Sequence, residues 1–340
     1  MSKSSPTSDK VFCGIDVSAE TLAIAVLVPD QPWTEREFPN TPTGHPALIG
    51  WLARLGACAR VALESTGIYS MDLALALAAA KHIEVAVLNP KDVHRFAGTL
   101  RRSKTDSADA RALAEYSLRM PFTPWRVPSP AQLQLRSLSR YLHSLSEERT
   151  RTKNRLHAAR SSSITPPAVL DDLSRELKRM TQRLLRLRRQ AMLLVRADAA
   201  LSQRHDLLTT IPGIGSISAV QLLGELTLLT PTMTVRQWVA HSGLDPAHQV
   251  SGTSIHRPSR ISRHGNRHLR RALFMPALVA ARHDPHFAAF YQNLLQRHKA
   301  KMQALIAVAR KLLHTIYGVL KTSTPFQGAK LFPNIQLITS

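Results

Sequence analysis

The stretch Val11-Phe-Cys-Gly-Ile-Asp16-Val-Ser18 decides the fold, because it is an apolar run interrupted by a single carboxylate. A second apolar run, residues 21–28, follows after a short polar break. Two such runs in succession are typical of consecutive β-strands. An ionised carboxylate is costly to bury unless a cation compensates its charge. Asp16 is therefore a candidate functional residue.

Three further acids lie at the ends of predicted elements. Glu64 ends another short apolar run and precedes a turn that contains glycine. Residues 84–90 predict one more buried strand, and the alanine-rich segment 72–81 before it predicts a crossover helix. Asp106 and Asp109 begin a predicted helix, and their spacing of three residues places them on the same face.

The predicted element order is strand, strand, strand, helix, strand, helix, strand, helix, which indicates an α/β domain with every acid near one rim. Such an arrangement is typical of a ribonuclease-H-like nuclease domain. Its carboxylates can hold two Mg²⁺ or Mn²⁺ ions about 3.5–4 Å apart, which bind the attacking and leaving oxygens of a phosphodiester. An alternative remains open, in which Asp106 and Asp109 only complement a helix dipole and Glu64 only caps a turn.

Charge indicates the kind of partner. The 340 residues include 45 lysines and arginines against 23 acids, for a formal net charge of +22. This excess predicts a polyanionic partner, and nucleic acid is the principal candidate. An apolar fraction of 44% is sufficient for the cores of two or three domains.

Cysteine usage and hydropathy indicate the compartment. Cys13 and Cys58 lie in apolar surroundings without metal-ligand spacing, so we expect buried, reduced thiols. Residues 1–10 are polar and no apolar run reaches membrane-spanning length, which argues against a signal peptide and a membrane anchor. The sequence therefore predicts a cytoplasmic protein with no membrane partner.

Composition divides the chain into successive regions. The predicted α/β domain covers residues 10–120, and a linker with four prolines follows at residues 121–132. Residues 133–159 and 170–198 have leucines at three-to-four spacing, which predicts an antiparallel helical hairpin or coiled-coil arm over residues 133–200. The excess of arginine in this arm favours contact with nucleic acid or a second subunit over a merely solvated face.

A mostly α-helical domain is predicted over residues 205–322, followed by a C-terminal tail at residues 323–340. It begins with two helical stretches joined by Pro-Gly213-Ile-Gly215, which resembles a helix-hairpin-helix element. In such an element the glycines let the backbone approach a phosphate, and the second helix offers N–H donors. The alternative is a tight interhelical turn without a ligand.

A basic cluster lies between Ser251 and Arg271, where there is no acid. Its arginines would stabilise negative charge on a phosphodiester through fixed, bidentate donors, and a serine hydroxyl among them could act as nucleophile and form a phosphoserine bond to DNA. The alternative is a plain phosphate-binding loop. The six arginines are Arg257, Arg260, Arg263, Arg267, Arg270 and Arg271. Spacing alone does not choose among the candidate nucleophiles Ser251, Ser254, Ser259 and Ser262.

Five motifs in order over residues 11–320 resemble a known family. They are Gly-Ile-Asp16-Val-Ser, Leu-Glu64-Ser-Thr-Gly-Ile-Tyr, Lys-Thr-Asp106-Ser-Ala-Asp109-Ala, Ile-Pro-Gly-Ile-Gly215, and Ser251-Gly with Arg263-His-Gly-Asn-Arg-His-Leu-Arg270. The chain resembles the DEDD transposases of bacterial insertion sequences, in the "one-ten/eleven-eleven" family that includes Piv-type DNA invertases.

This resemblance implies a RuvC-like domain whose four acids bind Mg²⁺ or Mn²⁺, a coiled coil, and a transposase domain with Ser251 as the catalytic serine. It also implies dimers and tetramers whose active sites combine domains of two subunits. A non-coding bridge RNA would pair with target and donor DNA, and the protein would be nucleoid-associated when it acts.

Three other functions remain open from the residues alone. A stand-alone RuvC-like Holliday-junction nuclease would use water as nucleophile, and its arginines would only bind. An actin-like ATPase is disfavoured, because Asp16-Val17 lacks the glycine that a phosphate loop needs. A non-catalytic RNA-binding scaffold explains the charge but not the four acids.

Overall fold

The structure, a computed structural model, describes residues 10–29, 31–55, 58–65, 69–100, 105–251 and 255–332. The chain divides between Val127 and Pro128 into two compact units. The first is a mixed α/β unit built around a sheet, and the second is mostly helical. No helix among the described residues combines the length and apolarity that crossing a membrane requires.

A five-stranded sheet forms the centre of the first unit. Its strands are β1 (Lys10–Val17), β2 (Thr21–Leu27), β3 (Thr34–Pro39), β4 (Cys58–Glu64) and β5 (Ile83–Leu88). Their order across the sheet is β3-β2-β1-β4-β5. The β1–β2 and β2–β3 pairs are antiparallel, whereas β1–β4 and β4–β5 are parallel.

Four helices accompany this sheet. They are α1 (Gly44–Leu55), α2 (Met71–Ala79), α3 (Pro90–Leu100) and α4 (Asp106–Arg119). The predicted order of strands and helices agrees with the structure through β5, and α2 is the predicted crossover helix. Two helices, α3 and α4, then follow where one was predicted. The apolar strands β1, β2, β4 and β5 are evident from their periodicity, whereas β3 is mostly polar.

Helix α4 packs against β1 at an unusually short distance. A Cβ atom on Gly14 would lie 2.0 Å from the carbonyl oxygen of Ala110 and 2.4 Å from the backbone nitrogen of Ala114. Both clashes involve backbone, so a side-chain rearrangement cannot relieve them. Glycine at position 14 therefore permits the contact that places α4 over the sheet.

The second unit contains the remaining elements. Its helices are α5 (Pro130–Arg160), α6 (Pro167–Ala197), α7 (Ala199–Thr209), α8 (Ser216–Leu226), α9 (Val235–Ser242), α10 (Arg267–His283), α11 (Pro285–Gln296), α12 (Lys301–Thr322) and α13 (Gly328–Leu331). Its strands β6 (Pro246–Ser251) and β7 (Ile255–Ile261) form an antiparallel hairpin.

The predicted helical hairpin is present as α5 and α6, but its base is not a separate arm. Leu135 and Leu142 of α5 belong to the same buried cluster as Val195 of α6 and Leu223 of α8. The regions predicted as 133–200 and 205–322 therefore share one core. Helix α5 begins at Pro130, after a capping box on Ser129, so the linker is shorter than the predicted 121–132.

The predicted tail is partly packed. Phe332 is buried and contacts Phe287 of α11 edge-to-face, so residues 323–332 belong to the helical unit, whereas residues 333–340 lie outside the described residues. Cys13 is buried as expected, which raises the pKa of its thiol, whereas Cys58 is half-buried.

We expect Gly14→Ala to destabilise the α/β unit by about 2 kcal/mol or more, since overpacking against backbone forces the helix away from the sheet. Gly50→Ala is the matched control, because nothing lies within 4 Å of its Cβ position in α1. That change should stabilise slightly through helix propensity. Urea denaturation of both variants measures the difference, and equal stabilities would contradict the close-contact interpretation.

Candidate functional site

Two of the predicted metal ligands lie side by side in the sheet. Ile15 of β1 pairs with Leu63 of β4, so Asp16 and Glu64 occupy the next position on neighbouring parallel strands. Neighbouring strands lie about 4.8 Å apart. Because side chains alternate between faces, Asp16 lies on the same face as Gly14, which α4 covers. Both acids are half-buried.

The other two predicted ligands lie in the first turn of α4. Thr105 caps this helix, and its side chain accepts a hydrogen bond from the backbone N–H of Ala108. Asp106 is exposed and Asp109 is half-buried.

Contacts with β3 orient α4. Ser107 donates a hydrogen bond of 2.8 Å to Glu35, and Arg111 forms an ion pair with the same carboxylate. These hydrogen bonds, first that of Ser107 and then that of Arg111, lower the pKa of Glu35. These exposed contacts link the start of α4 to β3. Sequence reasoning did not identify Glu35, which lies in a short polar strand without a distinctive motif.

The carboxylate oxygens of this rim suit a hard divalent cation in chemical type. Register brings Asp16 and Glu64 together, and α4 covers the face they share. Within the part of the chain that the structure describes, however, no three His, Cys, Asp or Glu side chains are grouped for one metal ion. A four-acid cluster therefore stays a prediction.

The basic cluster contains a β-hairpin that the sequence did not predict. Ser251 is the last residue of β6, where its backbone pairs with Ile255 of β7. Ser254 lies outside the described residues, as do the side chains of Ser251, Arg257 and Ser259. Polar and basic residues dominate the stretch, so the alternating pattern that would have indicated strands is absent.

Ser262 is the candidate nucleophile whose hydroxyl has a described partner. Its Oγ donates a 2.6 Å hydrogen bond to the carboxylate of Asp245, and its backbone N–H donates to the carbonyl of the same residue. The pair ties the end of β7 to the start of β6. This gives Ser262 a structural role, whereas the sequence had grouped it with three equivalent serines.

The arginines of the cluster divide into two groups. Arg270 donates a 2.8 Å hydrogen bond to the carbonyl of Ser242, at the C-terminus of α9. A cation is favoured there by the helix dipole. Arg271 forms an ion pair with Glu147 of α5. Arg260, Arg263 and Arg267 are exposed, as is Arg271 despite its ion pair, which leaves their charges accessible to a polyanion.

A buried carboxylate, Glu225 of α8, joins three helices. Arg140 of α5 binds it through two hydrogen bonds of 2.7 and 2.9 Å, and Asn266 donates another of 2.6 Å. The carbonyl oxygen of the Asn266 side chain meanwhile accepts from the backbone N–H groups of His268 and Leu269 at the start of α10. Glu225 therefore fixes the N-terminus of the helix that bears the basic cluster.

Burial alone would raise the pKa of Glu225. The hydrogen bonds from Arg140 and Asn266, together with the charges of Arg140 and Arg136, outweigh burial and leave the pKa below its ordinary value. Glu225 is thus ionised at neutral pH. Sequence reasoning missed it because Glu225 is a single acid in an apolar helix, and its partners are distant in the chain.

The two glycines of the predicted helix-hairpin-helix element differ in role. Helices α7 and α8 flank them as predicted. Gly213 has a positive φ of 86°, and a Cβ there would lie 2.3 Å from the carbonyl oxygen of Pro276, so packing against α10 requires glycine. Gly215 caps α8 and faces open space. Phosphate contact stays a prediction, for which Gly215 is sterically open.

Both units match transposase families. Residues 13–163 match a DEDD family of the IS110 type, described as Transposase, and residues 205–292 match the Transposase IS116/IS110/IS902 family. The chain is 31% identical over 326 residues to pilin gene-inverting proteins of Moraxella bovis and Moraxella lacunata, covering 93% of this chain and 98% of each relative. An IS110 protein of Streptomyces coelicolor is 33% identical over 132 residues, which cover 38% of this chain and 32% of the relative.

The chain combines an α/β unit that has Asp16 and Glu64 at one edge of its sheet with a helical unit that has a basic cluster, and transposase families match both. It therefore belongs to the class of DNA-recombining transposases. It belongs to the IS110/IS116 family. The family resemblance inferred from the five motifs is thereby confirmed.

We expect Glu225→Gln to destabilise the helical unit by about 3 kcal/mol, because the cationic groups of Arg136 and Arg140 would lose their buried counter-charge. Hydrogen exchange at the amides of His268 and Leu269, which Asn266 caps, should accelerate. Glu176→Gln is the control, since its ion pair with Arg179 is exposed and contributes little. Equal exchange rates in both variants would contradict the role assigned to Glu225.

The pH dependence has a definite sign. Folding lowers the pKa of Glu225. The contribution of ionised Glu225 to the free energy of unfolding is therefore complete above the ordinary glutamate pKa, and it is lost as the pH falls below that value towards the pKa of the folded state. The Gln variant should therefore lose less stability than the wild type on acidification. Denaturation curves at successive acidic pH values measure this difference.

Proposed function

We propose that this transposase cuts and rejoins DNA through a phosphoserine intermediate at Ser251, guided by a structured RNA, with a divalent-metal site at Asp16, Glu64, Asp106 and Asp109. The relatives from Moraxella are named for inverting a pilin gene, and inversion requires both breakage and rejoining of DNA. The observation that supports the proposal most is the placement of Asp16 and Glu64 at adjacent positions of β1 and β4, under α4.

The sheet supports a RuvC-like α/β domain. Its order β3-β2-β1-β4-β5, with three antiparallel strands followed by two parallel ones, is the order expected for the ribonuclease-H-like fold. In the proposal, Asp16, Glu64, Asp106 and Asp109 would hold Mg²⁺ or Mn²⁺. When bound, such an ion supplies electrophilic stabilisation of phosphate oxygens.

The basic cluster supports the serine step, and the choice of Ser251 rests on the family resemblance. The Ser251 oxygen attacks a phosphorus atom, loses its proton, and forms a phosphoserine ester while the strand's sugar oxygen leaves with a proton. A sugar hydroxyl of the new partner strand then attacks the same phosphorus and releases the serine. Arg260, Arg263 and Arg267 are exposed on the same unit as Ser251, and in the proposal their charges stabilise the phosphate.

The proposed partners are target DNA, donor DNA and a bridge RNA, held by a homodimer or homotetramer. The net charge of +22 supports polyanionic partners, since each neutralised phosphate releases counterions. The arginine-rich helices α5 and α6 offer a basic surface beyond the shared core. A composite site between subunits would bring the acid rim of one subunit to the serine of another.

We expect Asp16→Asn to abolish strand exchange while RNA and DNA binding persist, because the variant removes one negative ligand and leaves the basic surfaces intact. Plasmid recombination and gel-shift assays measure the two properties. Glu37→Gln on the exposed edge strand is the control, and it should behave as the wild type. Undiminished recombination in Asp16→Asn would remove the metal-site interpretation.

We expect Ser251→Ala to eliminate both strand exchange and any covalent protein–DNA species, whereas assembly on nucleic acid is retained. Denaturing electrophoresis with labelled DNA detects the covalent species in the wild type. Ser254→Ala and Ser259→Ala are the comparison variants, and loss of the covalent band in one of these instead would relocate the nucleophile. Cleavage without a covalent species in the wild type would favour a RuvC-like nuclease that uses water.

A further inference from the structure

A cleft of about 360 Å³ lies between α5, α8 and α10 in the helical unit. Its polar lining includes Arg140, His143, Gln221 and Arg271. Phe274 and Met275, which lie three and four residues after Arg271 on α10, supply apolar lining beside that arginine. The volume lies at the lower end of the range for small-ligand pockets.

The lining of the cleft and its immediate surroundings have an excess of positive charge. Glu225 in the lining is neutralised by the bidentate hydrogen bonds of Arg140, and Arg271 is paired with Glu147 of α5. Arg136 and Arg267 do not line the cleft, but their charges act on groups that do, namely Glu225 and His143. The cations among these groups outnumber the acids, so an anionic ligand is favoured.

His143 gives an independent indication of a ligand. Its Nε2 atom is buried, and among the described residues it has no hydrogen-bond partner. The nearest carboxylate oxygen, on Glu147, is 3.6 Å away, which is too long for a hydrogen bond. Burial first, and then the positive charges of Arg271 and Arg267, lower the pKa of His143. A buried polar atom without a partner is costly, and a phosphate oxygen that displaced the side chain covering Nε2 would satisfy it.

The apolar lining from Phe274 and Met275 can stack against a flat ring such as a nucleobase. Met275 is 56% exposed although it lies beside the core, and Phe274 is half-buried. Nucleobases stack on such side chains irrespective of base identity. Gln221, half-buried on α8, presents an amide that can both donate to and accept from a base edge.

We infer that this cleft holds one nucleotide of a nucleic-acid strand, with its phosphate at His143 and Arg271 and its base against Phe274 and Met275. The inference rests on the proposed action on nucleic acid. It adds that one nucleotide of the bound strand is unstacked from its neighbours and lies in this cleft. A single cleft accommodates one such unit, and the strand continues over the basic surface of α10.

The test measures how much the affinity of the protein for a single strand depends on the presence of nucleobases in that strand. Fluorescence anisotropy of the full chain is recorded with a short single-stranded oligonucleotide and with an abasic strand of equal length, each in DNA and RNA form. The wild type should bind the base-containing strand about tenfold more tightly, as expected from stacking of one base. Ser218→Leu fills the cleft from α8, and Arg271→Gln removes the rim charge.

Ser218→Leu and Arg271→Gln should each reduce the ratio of affinities, base-containing strand over abasic strand, to near unity. The control Arg282→Gln should leave this ratio unchanged. Arg282 lies exposed on the same helix, three turns beyond Arg271, so the control removes the same charge elsewhere. Thermal unfolding confirms that each variant is folded. As a second measurement, a strand containing 5-iodouracil should crosslink to the peptide containing Phe274 and Met275, identified by mass spectrometry.

The cleft assignment would be overturned if the wild type and all variants bound with the same ratio of affinities and no crosslink formed at Phe274 or Met275. Nucleic-acid binding itself would then remain. Failure of the wild type to bind any strand would instead overturn the proposed function. A free nucleoside monophosphate, tested as competitor, separates the two sources of the ligand. If it occupies the cleft while strands show no base dependence, a nucleotide within a strand is excluded.

Discussion

The helical unit depends on one buried charge, the carboxylate of Glu225. Its position is tolerated because Arg140 and Asn266 supply three hydrogen bonds, which outweigh the cost of removing the charge from water. Through the cap that Asn266 forms, the same carboxylate fixes where α10 begins. The direction in which the exposed Arg267 and its neighbours present their charges follows from that single interaction.

The α/β unit depends instead on close packing. Gly14 lets the backbone of α4 approach β1 at Ala110 and Ala114, and this contact places α4 over the sheet face that bears Asp16 and Glu64. The approach of α4 to the sheet face with these two acids thus depends on a steric constraint in the interior of the sheet. Ser107 and Arg111, which bind Glu35, then orient the helix. The N-terminus of α10 in the helical unit thus depends on a neutralised buried charge, whereas the position of α4 in the α/β unit depends on close packing.

Residue type alone did not distinguish contacts with a ligand from contacts within the fold. Gly213 predicted a backbone that approaches a phosphate. In the structure, a Cβ atom on Gly213 would instead collide with the backbone carbonyl oxygen of Pro276 in α10. Arg270 suggested a phosphate donor, but it binds the end of α9. Ser262 was equivalent to the other serines until its bond to Asp245 was known. A glycine or arginine that a fold requires looks the same in a sequence as one that a ligand requires.

The sequence by itself determined the order of strands and helices through β5, the position of Asp16 and Glu64 at strand ends, and the family. These properties depend on periodicity and spacing over a few residues, which the chain displays directly. Only the tertiary structure decided that the arm shares a core with the transposase region, that residues 246–261 form a hairpin, and that Glu225 meets Arg140. The two partners of that last contact are 85 residues apart, and their meeting depends on how α5 and α8 pack, which no local pattern encodes.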